Sequence, residues 1–354
     1  MPTTVTGFEH ITPVRIKDTS ATERSGFRKC RRSWFLQTVH RLDRQEGNVN
    51  FFLGTIYHRS LEAFYKGIKD AHIDPEGDAL DAYQTAYDEQ IAKIQDQLGS
   101  FFSLGESTFK EAGELGLDML QNYLERERDE PLLDKVLAIE FRVRVPIINA
   151  NGRRTGWLSV QADVVGMKDG QLAVVDHKTA SSYMPSAHLD IDDQLTAEVY
   201  SWWKHSGDFP EIAIYNVSLK KSPHPPRLLK NGKLSTAKNQ NTTGALYRKA
   251  IVDNGLSEVD YVDFLIELDA KDDPLFRRET TFRTPGQMAN FEANLFEEFR
   301  DMRAVALHPE RAYPNPTSMN CGGCPVRVIC TTMMDDGDVP AIINAEFTVS
   351  EPRR

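Results

Sequence analysis

The chain holds four cysteines, and three of them, Cys321, Cys324 and Cys330, form a Cys-x2-Cys-x5-Cys hook far downstream of the fourth, Cys30. Four thiolates meet the ligand demand of one tetrahedral zinc or one iron–sulfur cluster. Gly322 and Gly323 let the backbone curl so that two sulfurs face one centre. With Cys30 as the remote ligand, such a centre would staple the two ends of the fold and offset about 5 kcal/mol of loop-closure entropy. Disulfides and ordinary buried thiols are the alternatives. The opening residues are polar and charged with no apolar signal segment, so a reducing, cytoplasmic setting is expected and disulfides are disfavoured. One lone cysteine plus three is less like a zinc finger's paired Cys-x2-Cys units than like a cluster site.

A second constellation is Asp163 and, in the next strand-like segment, Asp176-His177-Lys178-Thr179. On adjacent antiparallel strands joined by the hairpin signal Lys168-Asp169-Gly170, both carboxylates face one side and form an oxygen-rich pocket suited to Mg²⁺ or Mn²⁺. Lys178 lies two residues past Asp176, so strand alternation returns its ammonium to the same face. There it would hold a water or neutralise charge building on a phosphoryl group. The apolar run Leu172-Ala173-Val174-Val175 reads as a rigid buried strand ending in clustered charge. A neutral His58 imidazole would complete the metal shell, with Gly54 allowing close approach at the start of its helix.

These residues need elements to hold them. Ser20-x-x-Glu23 is a capping box that predicts a helix start, with Phe27, Trp34 and Phe35 as its apolar contacts. Residues 51–70 and 78–127 carry apolar side chains at helical steps, including Leu61 and Phe64, then Leu80, Tyr83, Tyr87 and Ile91. The period changes near residue 136, and strands are expected over 136–145, 158–165 and 172–176, with a turn at Asn151-Gly152. A helix over 192–203, a strand over 212–219 and a helix over 286–306 follow. This order predicts a mixed α/β (α+β) fold, a central sheet flanked by helices. One domain is expected over 1–330: a helical part (18–135), a core (136–219), a basic insertion (220–275), whose stretch from Lys220 to about Leu246 reads as an insertion or mobile loop, and a C-terminal helix with the cysteine hook (276–330). Residues 331–354, with Asp335, Asp336 and Asp338, read as an acidic tail.

The net charge of −10 argues against nucleic acid only until its distribution is considered. From Lys220 to Ala250 there is no acidic residue, while Lys220, Lys221, Arg227, Lys230, Lys233, Lys238, Arg248 and Lys249 are all basic. Arg24, Arg28, Lys29, Arg31 and Arg32 surround Cys30. Two such runs in an acidic chain suggest a localised phosphate-binding surface, against the simpler reading of solvated loops. No apolar run is long enough to span a membrane, so no membrane partner is expected.

Taken in order, Cys30, Gly54-x3-His58, Asp163, Asp176-His177-Lys178-Thr179, Gln194 and the Cys321/Cys324/Cys330 hook resemble the RecB-type branch of the PD-(D/E)XK nuclease superfamily. Within it the likeness is to members with a four-cysteine iron–sulfur cluster, such as CRISPR-associated and phage exonucleases and some helicase–nuclease domains. It runs from about Thr19 to Cys330. The resemblance implies a restriction-endonuclease-like sheet and a [4Fe–4S] cluster on the four cysteines. It implies a Mg²⁺ or Mn²⁺ ion held by His58, Asp163, Asp176 and the His177 carbonyl, with Lys178 catalytic and Glu140 auxiliary. Gln194 would open a helix that orients the site and contacts DNA. The family's Gln-x3-Tyr spacing would put tyrosine at position 198, which is Glu198 here; Tyr200 lies about 200° round the helix from that slot.

The expected protein is therefore a metal-dependent DNA nuclease of a bacterial or phage-infected cell, an exonuclease that hydrolyses phosphodiester bonds of single strands or DNA ends, with a structural [4Fe–4S] cluster. Lys220, Lys221, Arg227, Lys230 and Lys233 would add DNA contacts. No Gly-x4-Gly-Lys-Ser/Thr loop is present, so any helicase or recombination motor would be a partner chain. Two rivals share the residues: a nucleic-acid-binding module that has lost cleavage, and a zinc-stapled scaffold.

Overall fold

The computed structural model describes residues 13–44, 48–99, 102–183, 186–270 and 275–351. At its centre is a mixed sheet of six strands. β3 (Lys135–Ile148) and β4 (Arg154–Lys168) form a long antiparallel hairpin. β5 (Gln171–Ala180) pairs antiparallel with the end of β4, from Val164 to Lys168. The intervening turn has Asp169 and Gly170 both at positive φ, as an Asp-Gly hairpin requires. β6 (Ile212–Leu219) runs parallel to β5, and β7 (Phe276–Phe282) closes that edge antiparallel to β6. A two-residue strand, β1 (Asp18–Thr19), lies parallel to β4 at Trp157 and Leu158.

β5 is continuously apolar because both faces of the sheet are covered. Ala173 and Val175 join the core built with α3 (Val49–Lys69), α4 (Pro75–Leu98) and α5 (Phe102–Asp129). Val174 joins the opposite core with α6 (Asp193–Ser206) and α9 (Pro285–Leu307). The parallel β5–β6 pair needs a crossover, and α6 supplies it. The stretch 78–127, expected as one helical region, is two helices, because Gly99 at φ +53° caps α4 and turns the chain. A mixed sheet flanked by helices is thus the architecture expected from the pattern of periods.

α1 (Ala21–Lys29) carries the expected capping box: Ser20 accepts from the Glu23 amide and Glu23 accepts from the Ser20 amide. Of the basic residues around Cys30, however, Arg24, Arg28 and Arg32 are engaged within the fold. Arg24 is 1% exposed, forms an ion pair with Asp193 at 2.9 Å, donates to Glu298 at 2.6 Å and lies over the Phe291 ring. Arg28 bridges the same two carboxylates, and Arg32 donates to the Ala312 carbonyl.

In the insertion, residues 220–243 carry no helix or strand beyond a Leu228–Leu234 bridge, as the loop reading expects, but they are anchored. Leu234 packs with Tyr247, Ile251, Phe264 and Leu265 of α7 (Gly244–Asp253) and α8 (Val262–Asp269) as a core of their own. Carboxylates from the second half of the insertion neutralise part of the basic run: Arg248 pairs with Asp269 and Glu258, Lys238 with Glu267, and Lys249 with Asp253. Lys221, Arg227, Lys230 and Lys233 are exposed.

Residues after 330 are likewise folded rather than a tail. Asp338 caps α12 (Val339–Glu346), and β8 (Phe347–Val349) pairs antiparallel with β2 (Leu42–Arg44). The acidic residues obscured an apolar set, Val339, Ile343 and Phe347, that packs on Leu36, Leu42 and Ile329. Among the described residues no helix is long and apolar enough to cross a membrane. Phe347→Ala should lower unfolding stability by about 3 kcal/mol, the usual result of emptying a buried phenylalanine site. A denaturant midpoint shifted only as far as for a surface substitution, within about 0.5 kcal/mol, would mean that the C-terminal segment is undocked.

Candidate active site

The site forms where β4 and β5 part. Their pairing stops at Val164–Val175, and the next residues on the two strands are Asp163 and Asp176. Beyond that point β5 pairs only with β6 on its other side, so both carboxylates stand at the mouth of a fork. A single backbone bond ties the fork: the His177 amide donates to Asp163 Oδ2 at 2.8 Å. Lys178 returns to the face of Asp176 as strand alternation requires, and its Nζ donates to Asp176 Oδ1 at 2.8 Å.

Gln194, in the first turn of α6, locks this pair. Its Oε1 accepts from Lys178 Nζ at 3.1 Å, and its Nε2 donates to Asp176 Oδ1 at 2.6 Å and to Glu198 Oε1 at 3.1 Å. Glu198, one helical turn on, is 2% exposed and brings a third carboxyl group into the cluster. The sequence pattern had marked this position only as a missing tyrosine. Its signal was an acid one turn from Gln194 on a helix face that is otherwise buried. Tyr200 does not reach the site; it is buried against Phe291 in the core between α6 and α9.

Burial governs the electrostatics. Asp176 is pushed up to about 6 by burial and by Asp163, against the opposing pull of Lys178. Asp163 is raised by burial, and Glu198 is raised well above the carboxylate range by burial and by Asp176 and Asp163. For Lys178, burial works against the charge, but Asp176 outweighs it and the ammonium is stabilised. His58 on α3 sets its Nδ1 3.5 Å from Asp163 Oδ2, and burial lowers its pKa, which keeps the imidazole neutral. A Cβ on Gly54 would meet no atom within 4 Å, so that glycine serves no close approach.

Glu140 stands beside Asp163. The pairs Ile139–Val164 and Phe141–Ala162 bracket the two residues, and Glu140 takes a φ of +48° in the middle of β3. Left-handed backbone at a non-glycine strand residue is strained, and it turns Glu140 to accept from the Gln161 side chain. Burial and Asp163 push Glu140 up to about 7.

The His177 side chain leaves by the other face of the sheet. It stacks on Tyr65, and its Nδ1 accepts from Asn216 Nδ2 at 2.9 Å, while Asn216 also donates to the Tyr123 hydroxyl. Burial lowers its pKa far below normal. Only its backbone therefore faces the carboxylates.

Asp176 Oδ2 and Glu198 Oε2 are buried without a hydrogen-bond partner, a state that calls for an occupant. Hard oxygen donors with one unused acceptor each fit a divalent cation chemically. Among the described residues, though, no three His, Cys, Asp or Glu side chains stand ready-arranged around a metal position. The same holds for the cysteines. Cys30 lies between α1 and α2 (Arg31–Trp34), Cys321 lies in α10 (Ser318–Gly322), and Cys330 lies in α11 (Arg327–Met334). All four are half-buried free thiols. The Asn315 amide donates to Cys30 Sγ at 3.4 Å, and Asn315 and Asn320 both donate to the Lys29 carbonyl, tying the hook to the end of α1. Burial pushes Cys330 up, and the thiols of Cys30 and Cys324 are near enough to add to the shift.

Of the basic residues, Lys220 donates to Asn50 Oδ1 at 2.7 Å and follows β6 at the sheet end where Lys178 lies. Lys221, Arg227, Lys230 and Lys233 lie on the insertion, outside the cluster.

The buried acids predict a pH dependence. Glu198 and Asp176 have folded pKa values above their unfolded ones, so their contribution is intact below the unfolded value of about 4 and lost as pH rises through the folded value. The thermal midpoint of metal-free protein should fall as pH rises from about 4 through about 6, with Glu198 carrying the fall to higher pH, and Glu198→Gln should reduce it. Identical profiles for variant and wild type would assign the titration elsewhere.

No curated protein matches the chain. Among solved structures, the crystal structure of SSO0001 is similar over 80% of this chain and 87% of its own, at 14% identity and a TM-score of 0.27. The profile of the PD-(D/E)XK nuclease superfamily matches residues 18–331, a span that holds the fork, its acid Asp163 and the Asp176-x-Lys178 triplet in the order that the superfamily's name describes. The chain belongs to the PD-(D/E)XK nuclease superfamily.

Proposed function

We propose that this protein is a metal-dependent DNA nuclease that hydrolyses phosphodiester bonds at single strands or DNA ends. The observation that carries this reading is the fork cluster, in which Asp163, Asp176 and Lys178 converge and one Asp176 oxygen is left unused. Asp163, Asp176, His58 and the His177 carbonyl would hold Mg²⁺ or Mn²⁺, with Glu140 beside them. When bound, the cation supplies Lewis-acid polarisation of a phosphoryl oxygen and lowers the pKa of water. Lys178 would set its ammonium against the negative charge that builds on the phosphoryl group. Gln194 fixes where that ammonium stands, and its bond to Glu198 prevents the amide from flipping.

The four cysteines would hold a [4Fe–4S] cluster with a structural role, as in the RecB-type members the sequence resembles. The donor chemistry supports it: four thiols carried on two segments that asparagine side chains already tie together. Zinc would satisfy the same donors, which keeps the scaffold reading as the second one. Strand separation for a duplex substrate would come from a helicase or recombination partner. The exposed Lys221, Arg227, Lys230 and Lys233 on the insertion would contact the DNA backbone.

Asp176→Asn should abolish cleavage of end-labelled DNA in Mg²⁺ or Mn²⁺, and Lys178→Ala should slow it by at least about a hundredfold. Wild-type protein that binds DNA as tightly as Asp176→Asn, with no cleavage by either, would instead establish a binding module. Oxygen-free wild-type protein should contain iron, and Cys321→Ala should be colourless and poorly soluble. Zinc without iron would favour the scaffold.

A further inference from the structure

One edge of β4 is bare next to the fork. β1 covers that edge at Trp157 and Leu158, and β5 covers it from Val164 onward. Since β3 pairs the opposite edge along the whole strand, Ser159 to Asp163 have no strand beside them on this side among the described residues. The gap opens into a cavity of about 510 Å³ walled by Ser20, Thr22, Arg142, Gln161, Gln194 and Glu198.

Four features of this cavity point to a ligand. Gln194 is the side chain that bonds Asp176 and Lys178, so the cavity shares a wall with the cluster. Glu198 is 2% exposed, yet its Oε2 has no partner. Arg142 is exposed at the mouth and close enough to act electrostatically on Glu140. An unpaired strand edge presents backbone donors and acceptors in alternation. The volume lies within the range of about 300–1,000 Å³ typical of small-ligand pockets, room for one nucleotide but not for a base pair with its two backbones.

We propose that this gap is the subsite for the nucleotide flanking the scissile phosphate, and that it admits one unpaired strand and excludes duplex. The proposal rests on the nuclease reading. The base lies against the β4 edge and the Gln161 amide, the Arg142 guanidinium meets the adjoining phosphate, and Gln194 divides this nucleotide from the reacting centre. Selectivity for single strands then follows from the width of the gap in the sheet.

The test compares two substrates in the full-length protein: a single-stranded oligonucleotide, and bis(p-nitrophenyl) phosphate, which carries the phosphodiester without a neighbouring nucleotide. Thr22 is exposed on the cavity wall, and Thr22→Trp places an indole there. The variant should lower the ratio of oligonucleotide to small-diester kcat/KM by about tenfold, because the indole fills the space of the flanking nucleotide. Arg142→Ala should lower the same ratio and reduce the salt dependence of oligonucleotide affinity by about one counterion. Wild-type protein should cut the single strand faster than the blunt duplex of the same sequence. Wild-type ratios in both variants, or faster cutting of the blunt duplex, would overturn the subsite while leaving the nuclease reading in place. Hydrolysis of neither substrate by wild type, with Mg²⁺ or with Mn²⁺, would overturn the nuclease reading and the subsite with it.

Discussion

Three carboxyl groups, the buried Asp176 and Glu198 and the half-buried Asp163, gather around a single ammonium, that of Lys178. Desolvation and mutual repulsion both oppose their ionisation, and much of the surrounding structure serves to hold them in place. Strand pairing stops at Val164–Val175, so the two aspartates avoid the close opposition that a continued ladder would force on them. Gln194 spends both donors of its amide on Asp176 and Glu198 and its acceptor on Lys178, which distributes one positive charge over the cluster. Asp176, pushed up to about 6, and Glu140, pushed up to about 7, owe this first to burial and then to the neighbouring Asp163 charge. A cation that binds only the folded state would relieve it and stabilise the fold by mass action.

The two faces of the sheet divide the work. Asp176 and Lys178 point to the α6 side, while the His177 ring between them points to the α3 and α5 side. There it joins a buried polar chain through Asn216, Tyr123 and Tyr65, with Glu127 paired to Arg278 nearby. That chain holds the backbone at 177 rigid, and it is this backbone whose amide ties Asp163. A loop could not hold the fork to such tolerance, because its carbonyl and amide directions would not be set on both sides.

Much of this was legible in the sequence where local rules decide. The Asp169-Gly170 turn, the apolar run of β5 and the Asp176-x-Lys178 alternation each follow from period and turn chemistry, and together they fix where the fork lies. What long-range partners decide was not legible. Arg24 and Arg28 look like a phosphate patch until Asp193 and Glu298 arrive from distant helices to neutralise them. The insertion looks loose because its basic half lacks apolar periodicity, while the residues that complete its core, Tyr261, Phe264 and Leu265, come later. Glu198 was read against an expected tyrosine, and only the packing of α6 on the sheet turns it toward the carboxylates.

The cysteine hook and the fork are far apart in sequence yet mechanically linked. Asn315 and Asn320 hold the hook to the Lys29 carbonyl, at the C-terminal end of α1. About one and a half turns back along α1, Arg24 pairs with Asp193, the residue next to Gln194, and with Glu298 of α9. Arg24 is 1% exposed, so these contacts are little screened by solvent, and loss of both carboxylates would leave a buried charge unpaired. Cys30 and the first turn of α6 are thus joined through one helix of nine residues, without passing through the sheet. Gln194 in turn bonds Lys178, so the hook, α1, α6 and the fork form one connected set of contacts, with the sulfurs outside the fork.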